Sequence, residues 1–129
     1  MNRVLIDTNI YTHALKGTAD VISVLKSASQ IGISAISIGE LISGFKGGTR
    51  ERENRDELAK FLDSPRVRIY LIDETTAEFY GDILDKLRKA GTPIPTNDIW
   101  IGAAALQNGL KLFTKDKHFG NIPGLLLVE

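Results

Sequence analysis

The chain contains no cysteine, which excludes a disulfide framework, a cysteine-ligated zinc site and thiolate catalysis. It also lacks any apolar run near the roughly 18 residues that a membrane-spanning helix needs. Its opening residues, MNRVLID, do not contain the apolar segment of a secretory signal peptide. From these absences we expect a cytoplasmic protein with no membrane partner.

The chain also has no excess of either charge, since 16 basic residues balance 16 acidic ones. Proteins that coat nucleic acid passively usually carry a basic excess, so the balance argues weakly against that class. A nuclease stays open, because acids committed to a metal ion would leave a mildly basic remaining surface. The 129 residues, 43% of them hydrophobic and 25% charged, fit one soluble globular domain.

Short apolar runs alternate with segments of helical spacing along the sequence. Strands are predicted at residues 3–6, 31–35, 67–72, 110–113 and 125–128. Helices are predicted at residues 10–15, 19–29, 75–89 and 99–107, after Ser37, and over the charge-dense stretch 49–62. Alternation of this kind is typical of parallel sheets covered on both faces. We predict an α/β fold, a three-layer α/β/α sandwich with a parallel, roughly five-stranded sheet in a single domain, 1–129.

Four acidic residues stand where an apolar run ends or a buried helix begins: Asp7, Glu40, Asp98 and Asp116. In an open parallel sheet these places lie along the carboxyl ends of the strands, where ligands bind. Carboxylates gathered there repel one another, and their pKa values rise unless a cation neutralises them. Hard divalent cations prefer oxygen ligands, so the pattern indicates one or two Mg²⁺ or Mn²⁺ ions and metal-assisted phosphodiester chemistry.

The first two acids also have structural interpretations. Asp7 can cap a helix or form an Asx turn, while the neighbouring Thr8 and Asn9 offer groups that would order a metal-bound water. Glu40 follows Ser37 at the spacing of a capping box, which requires no metal. Its neighbours are apolar, however, and a buried glutamate needs a partner.

Asp98 is the least ambiguous of the four, because Thr96 or Asn97 is available to cap the helix that follows. That helix is apolar nearly all round, so its first turn should be buried, where Asp98 benefits from the helix dipole. Asp116 can serve equally in a turn. If the strand order is 3-2-1-4-5, strand three is an edge, and Asp73 beyond it is a capping residue rather than part of the site.

Basic residues near these acids are candidate phosphate contacts, although solvated lysines are the common case. Two histidines, His13 and His118, stand alone in the sequence with no metal-ligand spacing, and we expect surface or packing roles for them. The candidate phosphate contacts are Lys115, Lys117 and Lys16.

Four sequence blocks together resemble the PIN-domain family, and specifically the VapC-type ribonuclease toxins of toxin–antitoxin pairs. The blocks are VLIDTN, SIGEL, PTNDIWIGAAALQNGLKLFTKD and HFGNIPGL, in that order, and the similarity spans essentially the whole chain. The resemblance implies a metal-dependent endoribonuclease with an RNA substrate. It also implies a homodimer and a small antitoxin partner that covers the active site.

By position, the family's acidic residues match Asp7, Glu40, Asp98 and Asp116, and its nearby hydroxyl matches Thr114. The family's last acidic position varies and is often asparagine, so Asp116 is the least secure metal ligand. Three other hypotheses remain: a catalytically inert PIN-fold binding module, a phospho-acceptor receiver domain and a small-molecule phosphatase. The receiver pattern is missing here, because paired acids after strand one and a lysine after the last strand are absent.

Overall fold

Four parallel strands form one sheet in the computed structural model, which describes residues 2–129. They are β1 (Arg3–Ile6), β2 (Gln30–Ser34), β3 (Val67–Tyr70) and β4 (Lys111–Phe113), in the order β3-β2-β1-β4. All three strand pairings are parallel, with Val4 opposite both Ile31 and Lys111. The predicted α/β class and the order of these four strands are confirmed.

The predicted fifth strand is reduced to a single bridge, so the expected strand count is one too high. Leu127 pairs in parallel with Leu112 outside any named strand. The backbone N–H of Leu112 donates to the carbonyl of Leu126, and the N–H of Val128 donates to Leu112, each at 2.9 Å. Because β4 is only three residues long, it offers the last segment too short a template for a regular ladder.

Six α-helices and one 3₁₀-helix connect the strands. They are α1 (Thr8–Leu15), α2 (Ala19–Ser27), α3 (Ala35–Lys46), α4 (Glu51–Leu62), α5 (Glu74–Ala90), α6 (Thr96–Asn108) and the 3₁₀-helix Lys117–Asn121. Asp73 caps α5 in a reciprocal box with Thr76, as expected for an acid beyond the edge strand. Within residues 2–129, no helix combines the length and hydropathy required to cross a bilayer.

The hydrophobic core has two parts, one on each face of the sheet. Leu5 packs on one face with buried residues of α5 and α6. Its neighbours Val4 and Ile6 point the other way, among buried residues of α1, α2, α3 and α4. Side chains alternate across a strand, so burial of all three requires helices on both faces. The predicted three-layer sandwich is confirmed.

Gly32, in the middle of β2, is required by close packing. A Cβ at this position would lie 2.6 Å from the ring of Tyr70 and 3.2 Å from Leu5. The aromatic ring of β3 therefore occupies the space that a side chain on β2 would take. On the outside of the sandwich, the charge-dense helix α4 buries Leu58 and exposes most of its other residues, as expected for a solvated helix with one apolar edge.

Candidate active site

Asp7 lies at the junction of β1 and α1 and is only 4% exposed. Its carboxylate Oδ1 accepts the N–H of Ile10 at 2.9 Å, so Asp7 caps α1 as one interpretation of the sequence expected. The other oxygen, Oδ2, accepts a hydrogen bond from the hydroxyl of Thr114. The backbone N–H of Asp7 donates to Phe113 at 3.2 Å, which anchors this residue to β4. Each carboxylate oxygen keeps further acceptor capacity for a ligand.

Glu40 lies inside α3 and is held by partners from two other helices. The hydroxyl of Thr8 donates to its Oε1 at 2.6 Å, and the amide of Asn97 donates to its Oε2 at 3.5 Å. The predicted capping box between Ser37 and Glu40 is wrong. Ser34 caps α3 and accepts the N–H of Ser37, so the helix begins earlier and Ser37 is a buried first-turn residue. Glu40 is therefore not engaged in capping its own helix.

Asp98 occupies the first turn of α6, where a carboxylate is stabilised by the helix dipole. The expected cap at Thr96 or Asn97 is wrong, because Pro95 stands at the N-cap and makes no side-chain cap. A proline loses nothing at a helix start, where N–H groups have no intrahelical partner. The N–H of Asp98 donates to the Pro95 carbonyl at 3.0 Å, and its carboxylate contacts His118.

His118 joins two of the predicted acids, so the expectation of a surface or packing role is wrong. Its Nε2 lies 2.7 Å from Oδ2 of Asp98, and its Nδ1 lies 2.8 Å from Oδ1 of Asp116. Both ring nitrogens face carboxylate oxygens, an arrangement that an imidazolium satisfies because it donates from each nitrogen. Asp116 also caps the 3₁₀-helix by accepting the N–H of His118 at 3.3 Å. That short helix turns the ring back toward α6.

The four predicted acids meet in one open cavity of 370 Å³ at the carboxyl ends of β1, β2 and β4. Convergence of these acids at this edge is what the sequence predicted. No lysine or arginine lines the cavity among residues 2–129. The lining consists of Asp7, Thr8, Asn9, Glu40, Pro95, Thr96, Asn97, Asp98, Asp116 and Phe119.

Two of the carboxyl groups have pKa values above the ordinary range. Burial is the main cause for Asp7, and repulsion from Asp116 adds to it, whereas the hydrogen bond from Thr114 acts in the opposite direction. Burial is also the main cause for Asp98, with repulsion from Glu40 and Asp116 adding to it. The bond to His118 lowers the pKa of Asp98 without cancelling the rise. A further positive charge in this cavity would stabilise the ionised form of both carboxyl groups.

The donors at the centre of the cavity fit a hard divalent cation. Asp98, Asp116 and His118 each offer one ligand atom, and these atoms lie within 4.8 Å of one another. Carboxylate oxygens suit Mg²⁺ and Mn²⁺, and an imidazole nitrogen is a common additional ligand for transition metals. Each nitrogen of the His118 ring faces a carboxylate, and a nitrogen that donates there has no lone pair for a metal, so the carboxylates are the primary donors for a cation.

The predicted supporting residues lie around the cavity, while the three predicted lysines differ in position and pairing. Thr8 and Asn9 line the cavity, and Thr114 binds Asp7. Among the lysines, Lys115 is paired with Asp20 of α2 at 2.6 Å. The other predicted phosphate contacts differ in position: Lys117 begins the 3₁₀-helix next to the site, and Lys16 stands at the C-terminal end of α1.

The chain belongs to the PIN-domain family, whose model it matches over residues 4–125. That match covers every acid of the cavity together with His118. The fold and the site are therefore those of a PIN-domain protein, the family that the sequence resembles.

Among curated relatives, the chain is 30% identical over 128 residues to a protein named "Ribonuclease VapC1" from Haemophilus influenzae, with 94% of this chain and 92% of that protein covered. It is 28% identical over 97 residues to "Ribonuclease VapC4" from Mycobacterium tuberculosis, covering 75% of each. Among solved structures, it superposes with a TM-score of 0.87 on a chain from a complex of VapBC2 of Rickettsia felis bound to a promoter DNA fragment. The identity there is 28%, with 98% of this chain and 97% of that chain covered.

Proposed function

We propose that this protein is a metal-dependent endoribonuclease that hydrolyses RNA phosphodiester bonds, and that it is the toxin component of a type II toxin–antitoxin pair. The observation that carries the proposal is the gathering of four carboxylates in one cavity, with His118 bridging two of them and no lysine or arginine of the described chain in the cavity lining. Ribonuclease relatives covering nearly the whole chain support the same reaction. The structural neighbour in a VapBC complex supports the toxin role.

The cation in this proposal is Mg²⁺ or Mn²⁺, as one or two ions. Asp7 and Asp98 would be its core ligands, and Glu40 and Asp116 would bind it directly or through water. Bound there, the cation supplies a lowered pKa for the attacking water and neutralises charge on the phosphoryl oxygens. Burial raises the pKa of Asp98, and repulsion from the other acids adds to the rise; a bound cation would replace that repulsion with attraction.

The chain's own residues provide position and proton transfer. Glu40 is fixed by the hydroxyl of Thr8 at 2.6 Å, so its carboxylate is oriented toward the cavity and can take a proton from the attacking water. Asp7 is held at both oxygens, by Ile10 and by Thr114. A carboxylate fixed in this way loses little freedom when the substrate binds, which lowers the entropic part of the barrier.

The partners in this proposal are an RNA substrate, a small antitoxin that covers the cavity, and a second copy of the chain in a homodimer. The antitoxin follows from the VapBC complex that this chain resembles. We place the reaction in the cytoplasm, and we assign the whole of residues 1–129 to one nuclease domain.

The test is cleavage of a labelled structured RNA by the purified chain in Mg²⁺, in Mn²⁺ and in chelator, in parallel with Asp98→Asn. We expect metal-dependent cutting by the parent and at least a hundredfold loss in the variant, on the scale of removing a charged group that acts in the transition state. The exposed Asp56 of α4 provides a matched control as Asp56→Asn, which should cut like the parent.

Equal cutting by the parent and Asp98→Asn would place the activity elsewhere. A folded parent that cuts no RNA under any condition, after removal of any copurified antitoxin, would favour the inert binding module instead. A phosphatase would release phosphate from small substrates and leave the RNA intact.

A further inference from the structure

A second cavity, of 480 Å³, adjoins the acidic one on the side of α1. It is lined by Asp7, Asn9, His13, Lys115, Asp116 and Lys117. Asp7, Asn9 and Asp116 line both cavities, so the two adjoin at these residues.

The basic residues of this second cavity differ in how their charge is balanced. The ammonium of Lys115 lies 2.6 Å from Asp20, which ties the loop after β4 to α2. Neither His13 nor Lys117 forms an ion pair with another described residue. These two side chains therefore keep their hydrogen-bond donors available for a ligand. His13 can donate an N–H whether or not the ring is charged.

The opposite side of the acidic cavity has no such donors. A cavity of 620 Å³ adjoins it there, shares Glu40 and Asn97 with it, and is formed mainly by α3. No lysine, arginine or histidine lines that cavity among residues 2–129. An RNA strand carries one phosphate per nucleotide, so a strand crossing the acids would meet cationic donors on the α1 side alone.

We propose that the cavity beside α1 is a phosphate-binding subsite for the RNA linkage next to the one that is cut, with Lys117 and His13 as its donors. This inference rests on the proposed nuclease function and adds a direction to it. One neighbouring phosphate is bound, and the neighbour on the other side of the cut is not. Lys115 acts here through its contact with Asp20, as a positioning residue for the loop that carries Asp116.

The test uses RNA oligonucleotides that span a cleavage site mapped with the parent protein. In each, one phosphate next to the cut is replaced by a neutral methylphosphonate, either on the 5′ side or on the 3′ side. We expect kcat/KM of the parent to fall about tenfold for the neutral linkage on one side only, the scale of one lost charge-assisted contact. Lys117→Ala should lose a similar factor on the unmodified RNA and almost nothing more on that neutral RNA.

Further variants separate binding from structure. The salt dependence of RNA affinity should flatten by about one phosphate contact in Lys117→Ala. His13→Gln, which keeps a donor, should stay near the parent, whereas His13→Leu should raise KM. Lys111→Ala removes an equal charge at the opposite end of β4 and should leave kcat/KM unchanged.

Two results would overturn the subsite in different ways. If Lys117→Ala and the neutral linkages weaken cleavage independently, so that their effects multiply, then Lys117 does not bind that phosphate. If both neutral linkages leave the parent unaffected, no neighbouring phosphate is bound at all. A parent that cuts no RNA would instead overturn the nuclease function, and the subsite with it.

Discussion

His118 and Asp98 contact each other through an imidazole nitrogen and a carboxylate oxygen 2.7 Å apart, across 20 residues of sequence. The second nitrogen of the same ring lies 2.8 Å from Asp116. The histidine thus separates two acids that would otherwise face each other. Substitution of His118 therefore tests how the charges of Asp98 and Asp116 are balanced.

Replacing His118 by alanine should destabilise the metal-free protein, because Asp98 and Asp116 lose the donor between them. A charge-assisted hydrogen bond contributes about 1.5–3 kcal/mol, and partial exposure of these groups reduces the effect toward about 1 kcal/mol. Saturating Mg²⁺ should restore part of the loss, because the ion neutralises the same acids. Thermal denaturation in chelator and in Mg²⁺ measures both effects. If the variant has the same deficit in Tm in both conditions, Mg²⁺ does not neutralise the acids that His118 contacts.

The contribution of the buried Asp7 carboxyl to the stability of the metal-free protein should grow as the pH falls from its raised pKa toward 3.8, the ordinary value for this group. Burial raises its pKa in the folded state, so within the window between 3.8 and the raised value the folded protein binds more protons than the unfolded chain. Stability attributable to this group therefore falls as pH rises through that window.

Asp7→Asn cannot titrate at this position and provides the comparison. In chelator, the Tm of the parent minus that of Asp7→Asn should increase as the pH is lowered through the window. Asp56→Asn, an exposed substitution on α4, should run parallel to the parent. If Tm changes with pH in the same way for the parent and Asp7→Asn, folding does not raise the pKa of Asp7.

The hydroxyl of Thr8 should matter for catalysis and little for folding. It donates to Glu40 at 2.6 Å, and in Thr8→Val that carboxylate keeps only the longer contact from Asn97, at 3.5 Å. We expect kcat to fall about tenfold, since loss of one hydrogen bond to a charged group is of order 1.5 kcal/mol. Thr8→Ser retains the hydroxyl and should cut nearly as well as the parent. Equal losses in both variants would point to packing of the methyl group instead.

Glycine substitutions should have opposite effects in the sheet and on the helical surface. Gly32→Ala places a Cβ 2.6 Å from the ring of Tyr70, and overpacking of this kind costs about 1–3 kcal/mol. Gly81→Ala lies in α5 with nothing within 4 Å of the new atom, and should stabilise by roughly 0.5–1 kcal/mol. Chemical denaturation measures both values. A stabilised Gly32→Ala protein would mean that β3 shifts easily relative to β2.

The placement of Asp7 could be predicted because its signal is local. A run of apolar residues in β1 ends at this acid, and parallel sheets bind ligands along that edge. Asp116 was predicted in the same way, from the apolar run before it, and Asp98 was predicted from the apolar, buried helix that follows it. The alternation of strands with helices also predicted the three-layer sandwich, since a parallel strand such as β1 is buried on both faces of the sheet.

His118 could not be predicted, because its role depends on two partners that only the fold brings near. Its one available signal was its position two residues after Asp116, at the start of the block HFGNIPGL. Whether that ring faces solvent or the acids is decided by the 3₁₀-helix, which the pattern of apolar residues does not reveal. The start of α3 differs from the predicted one for a related reason. Ser34 and Ser37 can both cap a helix, and Ser34 is the cap because β2 ends there.

The hydrogen bond from Thr114 to Asp7 spans 107 residues, and it has a consequence during synthesis of the chain. A nascent polypeptide that ends before Lys111 contains β1 and β2 but lacks both Thr114 and β4, which flanks β1 on its other side. Asp7 then has neither the hydroxyl that fixes it nor Asp116 and His118 beside it. The cavity cannot assemble until the residues through His118 have left the ribosome, so under the proposed nuclease function a shorter nascent chain cannot cleave RNA.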